Sequence, residues 1–271
     1  MDWGYKVVLT AMTVAAVLMT AQLFGRRLAG LVAGLPVITA PSLLWIAAEQ
    51  GAAYAARCAV GSLAACGAAA VFAVIYERVA RRRGPLPSLG AALGGGGGVA
   101  LVLALLTRGE HGLAIALLAT TTLCTWALLR LPAAPAGARP TRRLRGEVLL
   151  TAALAGTVSA VIALWSPLLG PFWSGLLASL PIISSAVLVQ QHLTAPHADC
   201  RRFLRGYATG LVGKAAFATA FAGAAAQMGA SPAMALAAVV GIAVSIGLAR
   251  QLGSAETQAP TAQAVLAPQG S

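Results

Sequence analysis

The sequence predicts an all-α polytopic membrane protein of nine transmembrane helices, arranged as inverted repeats of five and four. Three observations carry this expectation: the composition, the placement of the basic residues, and a match between the two halves of the chain. The 271 residues are 59% hydrophobic and only 10% charged, with a mean hydropathy of +0.82. A soluble domain carries roughly 25% charged residues because its surface must meet water. So apolar a chain is readable only with lipid as its solvent. Its abundance of alanine and glycine suits helices that approach closely in a bilayer, where small residues let backbones meet.

Nine stretches are long and apolar enough to span: 5–24, 28–48, 52–76, 86–107, 112–130, 148–167, 172–191, 204–227 and 232–250. A span needs about 20 apolar residues at 1.5 Å rise each. Strands are excluded, because open strand edges are not viable in lipid and no period-2 alternation appears. The first stretch resembles a signal peptide in length. Its leading segment is nearly uncharged, however, and Arg26 and Arg27 follow the apolar run, which favours an uncleaved first helix with its N-terminus outside.

Counting charges fixes the expected orientation. With an outside N-terminus and nine crossings, the inward side holds Arg26, Arg27, Arg78, Arg81, Arg82, Arg83, Arg130, Arg139, Arg142, Arg143, Arg145, Arg201, Arg202, Arg205 and Arg250. The outward side holds only Lys6, Arg57 and Arg108. This is a strong positive-inside asymmetry, and adding or removing one span would scatter the clusters to both sides. The net charge of +12 therefore reflects inward loops. Nucleic acid is not an expected partner, since no basic face with interleaved aromatics accompanies the charge. The location expected is a bacterial inner (cytoplasmic) membrane, with a homodimer among the assemblies the sequence allows.

The Pro-rich stretch 131–146 is the longest polar break and is read as an inward linker. It separates a first repeat (1–130, five spans) from a second (147–251, four spans). Residues 252–271 lack apolar periodicity and read as a disordered inward tail.

The repeat is visible in the residues. Gly30-Leu-Val-Ala-Gly-Leu-Pro-Val-Ile-Thr-Ala40 matches Gly175-Leu-Leu-Ala-Ser-Leu-Pro-Ile-Ile-Ser-Ser185, with six of eleven positions identical at an offset of 145. After a three-residue insertion, Arg57 aligns with Arg205 and Ser62-Leu63 with Gly210-Leu211. The first segment opens a helix running outward and the second a helix running inward, so the halves are expected to be inverted. The glycine-rich fourth span, with Gly94 to Gly98, has no counterpart. Its presence gives the first half an odd number of spans, which inverts the second.

The second half, with its Gly175-Leu176 start, Pro181 six residues on, and a basic loop ending at Arg205, resembles the GlpM-like family of small four-helix bacterial membrane proteins. Gly30-Leu31 with Pro36 fits the same pattern, over about 60 residues per half. The extra span departs from the family's four-helix plan. The resemblance implies an integral inner-membrane protein and carries over no activity.

Chemistry is expected where the repeat places its prolines. Pro36 and Pro181 lie well inside their spans, and Pro41 adds a second break in the first half. Proline removes an N–H and frees carbonyls, which in lipid must find protein, water or ligand. Thr39, Ser42, Ser184 and Ser185 place hydroxyls beside the breaks. Discontinuous helices of this kind form the binding sites of secondary transporters; the competing reading is a kink that satisfies itself.

Lys214 is the one charge deep in a span and aligns with Cys66. An intramembrane cation is expensive, so it is expected to face a cavity or partner, or to snorkel toward the inner surface. Glu49 and Arg57 are expected as an outer gate pair or a solvated surface pair. Gln190, Gln191 and Arg205 are assigned to an inner gate. The small-residue pairs Gly30/Gly34, Gly175/Ser179 and Gly206/Gly210 mark helix contacts.

Enzyme signals fail. Gly213-Lys214 lacks the flanks of a phosphate loop, and the spans hold no Asp and no internal His or Glu pair. His192, His197, Asp199 and Cys200 have irregular metal-ligand spacing, and the four cysteines form no CxxC. No cofactor, metal or catalytic residue is expected. The function expected is a secondary transporter of a small amphipathic or anionic solute. A channel, or a structural or lipid-handling membrane component without carrier activity, is the rival reading.

Overall fold

The computed structural model describes residues 35–131, 164–181 and 197–265 continuously, with side chains to 252, and single residues among 4–31, 153–162 and 184–193. Among the described residues every element is an α-helix. These are α1 (Thr39–Gln50), α2 (Ala52–Ala80), α3 (Pro85–Leu106), α4 (Gly112–Arg130), α5 (Pro171–Leu177), α6 (His197–Met228) and α7 (Ala230–Val265). The spans expected at 5–24 and 148–167 and the linker fall largely outside the described residues.

Among the described residues four helices are long and apolar enough to cross a membrane: α2, α3, α4 and the Ala230–Leu252 part of α7. α3 and α4 coincide with their expected spans to within a residue. Pro85 starts α3 at the position where its missing N–H is harmless. α6 is 32 residues long, but Arg201, Arg202, Arg205 and Lys214 make it more polar than these four.

The reason α2 and α6 form the centre lies in their side chains. Over residues 58–75 α2 is small or apolar on every face, and 83% of its most apolar stretch is buried, against 28% for each of α3, α4 and α7. It packs against α1, α3, α4, α5 and α6, while α7 lies on α6. Phe72 and Tyr76 of α2 and Phe203, Phe217 and Phe221 of α6 are the largest fully buried side chains. The outer helices seal against this pair with small residues at a four-residue interval. On α3 these are Ser88, Ala92, Gly96 and Ala100, and on α4 Gly112, Ala116, Thr120 and Cys124. A four-residue spacing keeps side chains on one helical face. The large side chains Leu101, Leu105, Leu118, Leu129, Val239 and Ile242 point outward, the arrangement that suits a bundle surrounded by lipid.

Two features differ from the sequence expectations. Pro41 makes no second break: it lies inside the first turn of α1, where a helix has no use for the N–H that proline lacks. α7 also runs on to Val265, into the stretch read as a disordered tail. Extending a helix that already exists needs no new nucleus, although Gly253 and Pro260 in this stretch oppose a helix.

Candidate functional site

Both prolines lie in non-helical breaks, and the two breaks are alike. Residues 35–38 form a non-helical bend ahead of α1, and residues 178–181 form one after α5. The Pro36 carbonyl accepts from Ala40 N–H at 2.8 Å, and the Pro181 carbonyl accepts from Ser185 N–H, also at 2.8 Å. These two bonds occupy equivalent positions at the repeat offset of 145.

The breaks meet. Thr39 Oγ1 donates to the Ala178 carbonyl at 3.1 Å and lies 3.1 Å from Ser179 Oγ. Thr39 is fully buried, and Ser179 nearly so. A carbonyl at the break of one half is thus satisfied by a buried hydroxyl at the break of the other, as backbone groups inside a membrane bundle require. Thr39→Val is expected to cost about 1 kcal/mol, near the typical value for hydroxyl bonds between membrane helices. Unfolding of the purified protein in mixed micelles would measure it; an unchanged midpoint would mean the bond contributes nothing.

The other expected site residues are placed as follows. Ser42 is buried and returns its hydroxyl to the Ile38 carbonyl of its own helix at 2.9 Å. Ser184 is buried and hydrogen-bonds Tyr207 of α6. Ser185 Oγ is buried with no hydrogen-bond partner, which makes it the one orphaned hydroxyl beside either break among the described residues. Lys214 is 7% exposed and interacts electrostatically with Cys66 of α2. Repeat-equivalent positions therefore face each other across the central helix pair. Among the described residues Lys214 makes no ion pair.

The expected gates are not joined in the same way. Glu49 and Arg57 are both exposed and form no ion pair with each other; Arg57 lies over the Tyr54 ring at 5.7 Å. Arg205 Nη1 donates to the Leu131 carbonyl at 2.7 Å, tying α6 to the end of α4. Gln190 and Gln191 lie outside the described residues. His192, His197, Asp199 and Cys200 do not gather as a metal-binding group.

A close backbone approach seats the second break. Gly61 of α2 lies against the Phe172 carbonyl, and Gly175 of α5 against the Cys58 carbonyl. Ser62 Oγ donates to the Gly175 carbonyl at 2.9 Å. Any Cβ at either glycine would overlap these oxygens. Beside the break, a small cavity of about 70 Å³ is lined by Ala65, Phe72, Gly96, Ala100, Ser179 and Pro181, among others. Its walls are almost wholly apolar.

Tyr207 is the polar residue that sequence reasoning missed. It lies seven residues before Lys214, two helical turns away on the same face, and that spacing was the available signal. Ser62 was noted for the repeat but not for its hydroxyl. Comparison of the chain with protein-family models, curated proteins and solved structures gives no match.

Proposed function

We propose that the protein is a secondary transporter of the bacterial inner membrane, moving a small amphipathic or anionic solute by alternating access between inverted repeats. The N-terminal end would lie outside and the C-terminal end inside, as the arginine distribution requires. Each half would be a variant of the GlpM-like unit.

The observation that carries the reading is the junction of the two breaks. Thr39 of one half holds Ala178 and Ser179 of the other, and both breaks share the same proline-carbonyl bond. Interrupted helices meeting inside a bundle are the usual binding locus of carriers. Such a junction can open when substrate replaces the Thr39 hydroxyl at the freed carbonyl. Lys214 supplies a buried amine that an anionic solute would hold protonated, and its surroundings favour an anionic or amphipathic solute over a sugar.

Counterflow tests the proposal. Proteoliposomes loaded with a panel of unlabelled small carboxylates and amphipathic organic anions are offered the labelled form outside. Trans-stimulated, saturable uptake of at least one member is expected. Uptake that never saturates, with current in proportion to the gradient, would make the protein a channel. A parallel measurement follows the junction itself, with Thr39→Cys and Ser184→Cys placed singly in a variant lacking Cys58, Cys66, Cys124 and Cys200. A membrane-impermeant maleimide should reach each from one side or the other, in a ratio that substrate changes. Labelling from neither side under any condition counts against alternating access.

A further inference from the structure

The C-terminal end of α2 and the first turns of α6 bring together Glu77, Arg81, His197 and Arg201, with His192 beside them. Glu77 is 2% exposed. Arg81 pairs with it through two bonds, Nε donating to Oε1 at 2.9 Å and Nη2 to Oε2 at 3.0 Å. His197 Nε2 stands 3.9 Å from Glu77 Oε1, outside hydrogen-bond range. His192 is occupied elsewhere, its Nδ1 3.3 Å from the Tyr76 hydroxyl and its ring edge-on to the Tyr76 ring. The nearby Asp199 is matched by Arg202 at 3.0 Å.

Two nitrogens are left over. His197 Nε2 and Arg201 Nε are both buried without a hydrogen-bond partner. They sit four residues apart, on one face of α6. A buried donor on a charged side chain is costly to leave unsatisfied, and among the described residues neither nitrogen has an acceptor within hydrogen-bond range. Arg81 and Arg201 also exceed the single carboxylate, and the exposed Arg82 and Arg83 follow directly. Among the described residues the cluster is short of negative charge.

We propose that this cluster is a binding site for a phosphate oxyanion, presented as the headgroup of an anionic phospholipid or as a soluble phosphate. Arg201 Nε and His197 Nε2 donate to its oxygens, and Arg81 keeps Glu77 neutralised while adding its field. Basic pockets between helices at the cytoplasmic membrane surface are the usual place for such headgroups. This end of α2 carries the arginine run that the positive-inside rule places there.

The site has a built-in pH dependence. Burial holds the His197 proton affinity below its ordinary value; Glu77 opposes this, and Arg201, His192 and Arg81 add to it. A bound oxyanion favours the imidazolium, so binding takes up a proton and strengthens as the pH falls.

The test uses the full chain in dodecyl maltoside, with unfolding followed by tryptophan fluorescence and with added dioleoylphosphatidylglycerol, dioleoylphosphatidylcholine or inorganic phosphate. Phosphatidylglycerol is expected to raise the midpoint saturably, at several-fold lower concentration at pH 6 than at pH 8, while phosphatidylcholine has little effect. Arg201→Gln should weaken the response at least fivefold, and Arg108→Gln at the opposite end should leave it intact. His197→Gln carries the same expectation if Arg201→Gln does not fold. Protection by inorganic phosphate instead, with the same variant dependence, would assign the site to a soluble ligand. Silence from both probes, or a response that survives Arg201→Gln and His197→Gln, would overturn the proposal. The readout involves no transport, so its outcome is separate from that of the carrier reading.

Discussion

Lys214→Met is expected to make the folded bundle more stable and to abolish substrate-dependent transport. Lys214 lies in the middle of α6, 7% exposed, with Cys66 of α2 as its electrostatic neighbour and no carboxylate paired with it among the described residues. An ammonium at the centre of a membrane helix costs about 2.5–3.5 kcal/mol on insertion scales. Methionine keeps the unbranched stem and fills irregular space well. The substitution should therefore recover roughly 1–3 kcal/mol of that cost. A group this expensive persists where function needs it, so the same change should eliminate counterflow. Lys214→Arg, which keeps a cation but changes its shape, should retain partial activity. A Lys214→Met protein that transports normally would remove this residue from the site. One that is less stable than the parent would show that the ammonium is paired within the bundle.

Gly175→Leu should have the opposite effect on the fold. A Cβ at position 175 overlaps the Cys58 carbonyl oxygen and reaches the Ser62 nitrogen at 3.0 Å. These are backbone atoms of α2 and cannot swing away. The side chain fits only if α5 leaves α2, which breaks the Ser62–Gly175 bond and draws Ala178 and Ser179 from Thr39. The expected cost is about 3 kcal/mol, the upper end of ordinary overpacking penalties, seen as a lower unfolding midpoint and reduced yield. The glycine run of α3 provides the control. Gly94, Gly97 and Gly98 have no atom within 4 Å of an added Cβ, so alanine there should gain up to about 1 kcal/mol each from helix propensity. If Gly175→Leu unfolds like the parent, α5 is not seated as described, and the junction of the breaks falls with it.

The four-residue seams of small side chains on α3 and α4 explain why their spans could be read so closely from sequence. Both helices bury one narrow face and give the rest to lipid, so hydropathy reports their full length. The interruptions at Pro36 and Pro181 were legible for a local reason as well: proline forbids the helical bond wherever it stands in a helix interior. Pro41 shows the limit of that rule. Its effect depends on whether it falls before or after the restart of the helix, and the bend at 35–38 decided that.

What the amino-acid sequence determined alone was the solvent, the helical class and the positions of the two breaks, because each follows from transfer energies or from the backbone chemistry of single residues. Tertiary structure alone decided which helices occupy the centre, that Thr39 reaches Ala178, that Ser184 meets Tyr207 and that Cys66 faces Lys214. Hydropathy measures how a segment prefers lipid to water and is blind to which neighbour it touches. Those choices rest on close contacts such as Gly175 against Cys58, made between residues more than a hundred positions apart in the chain.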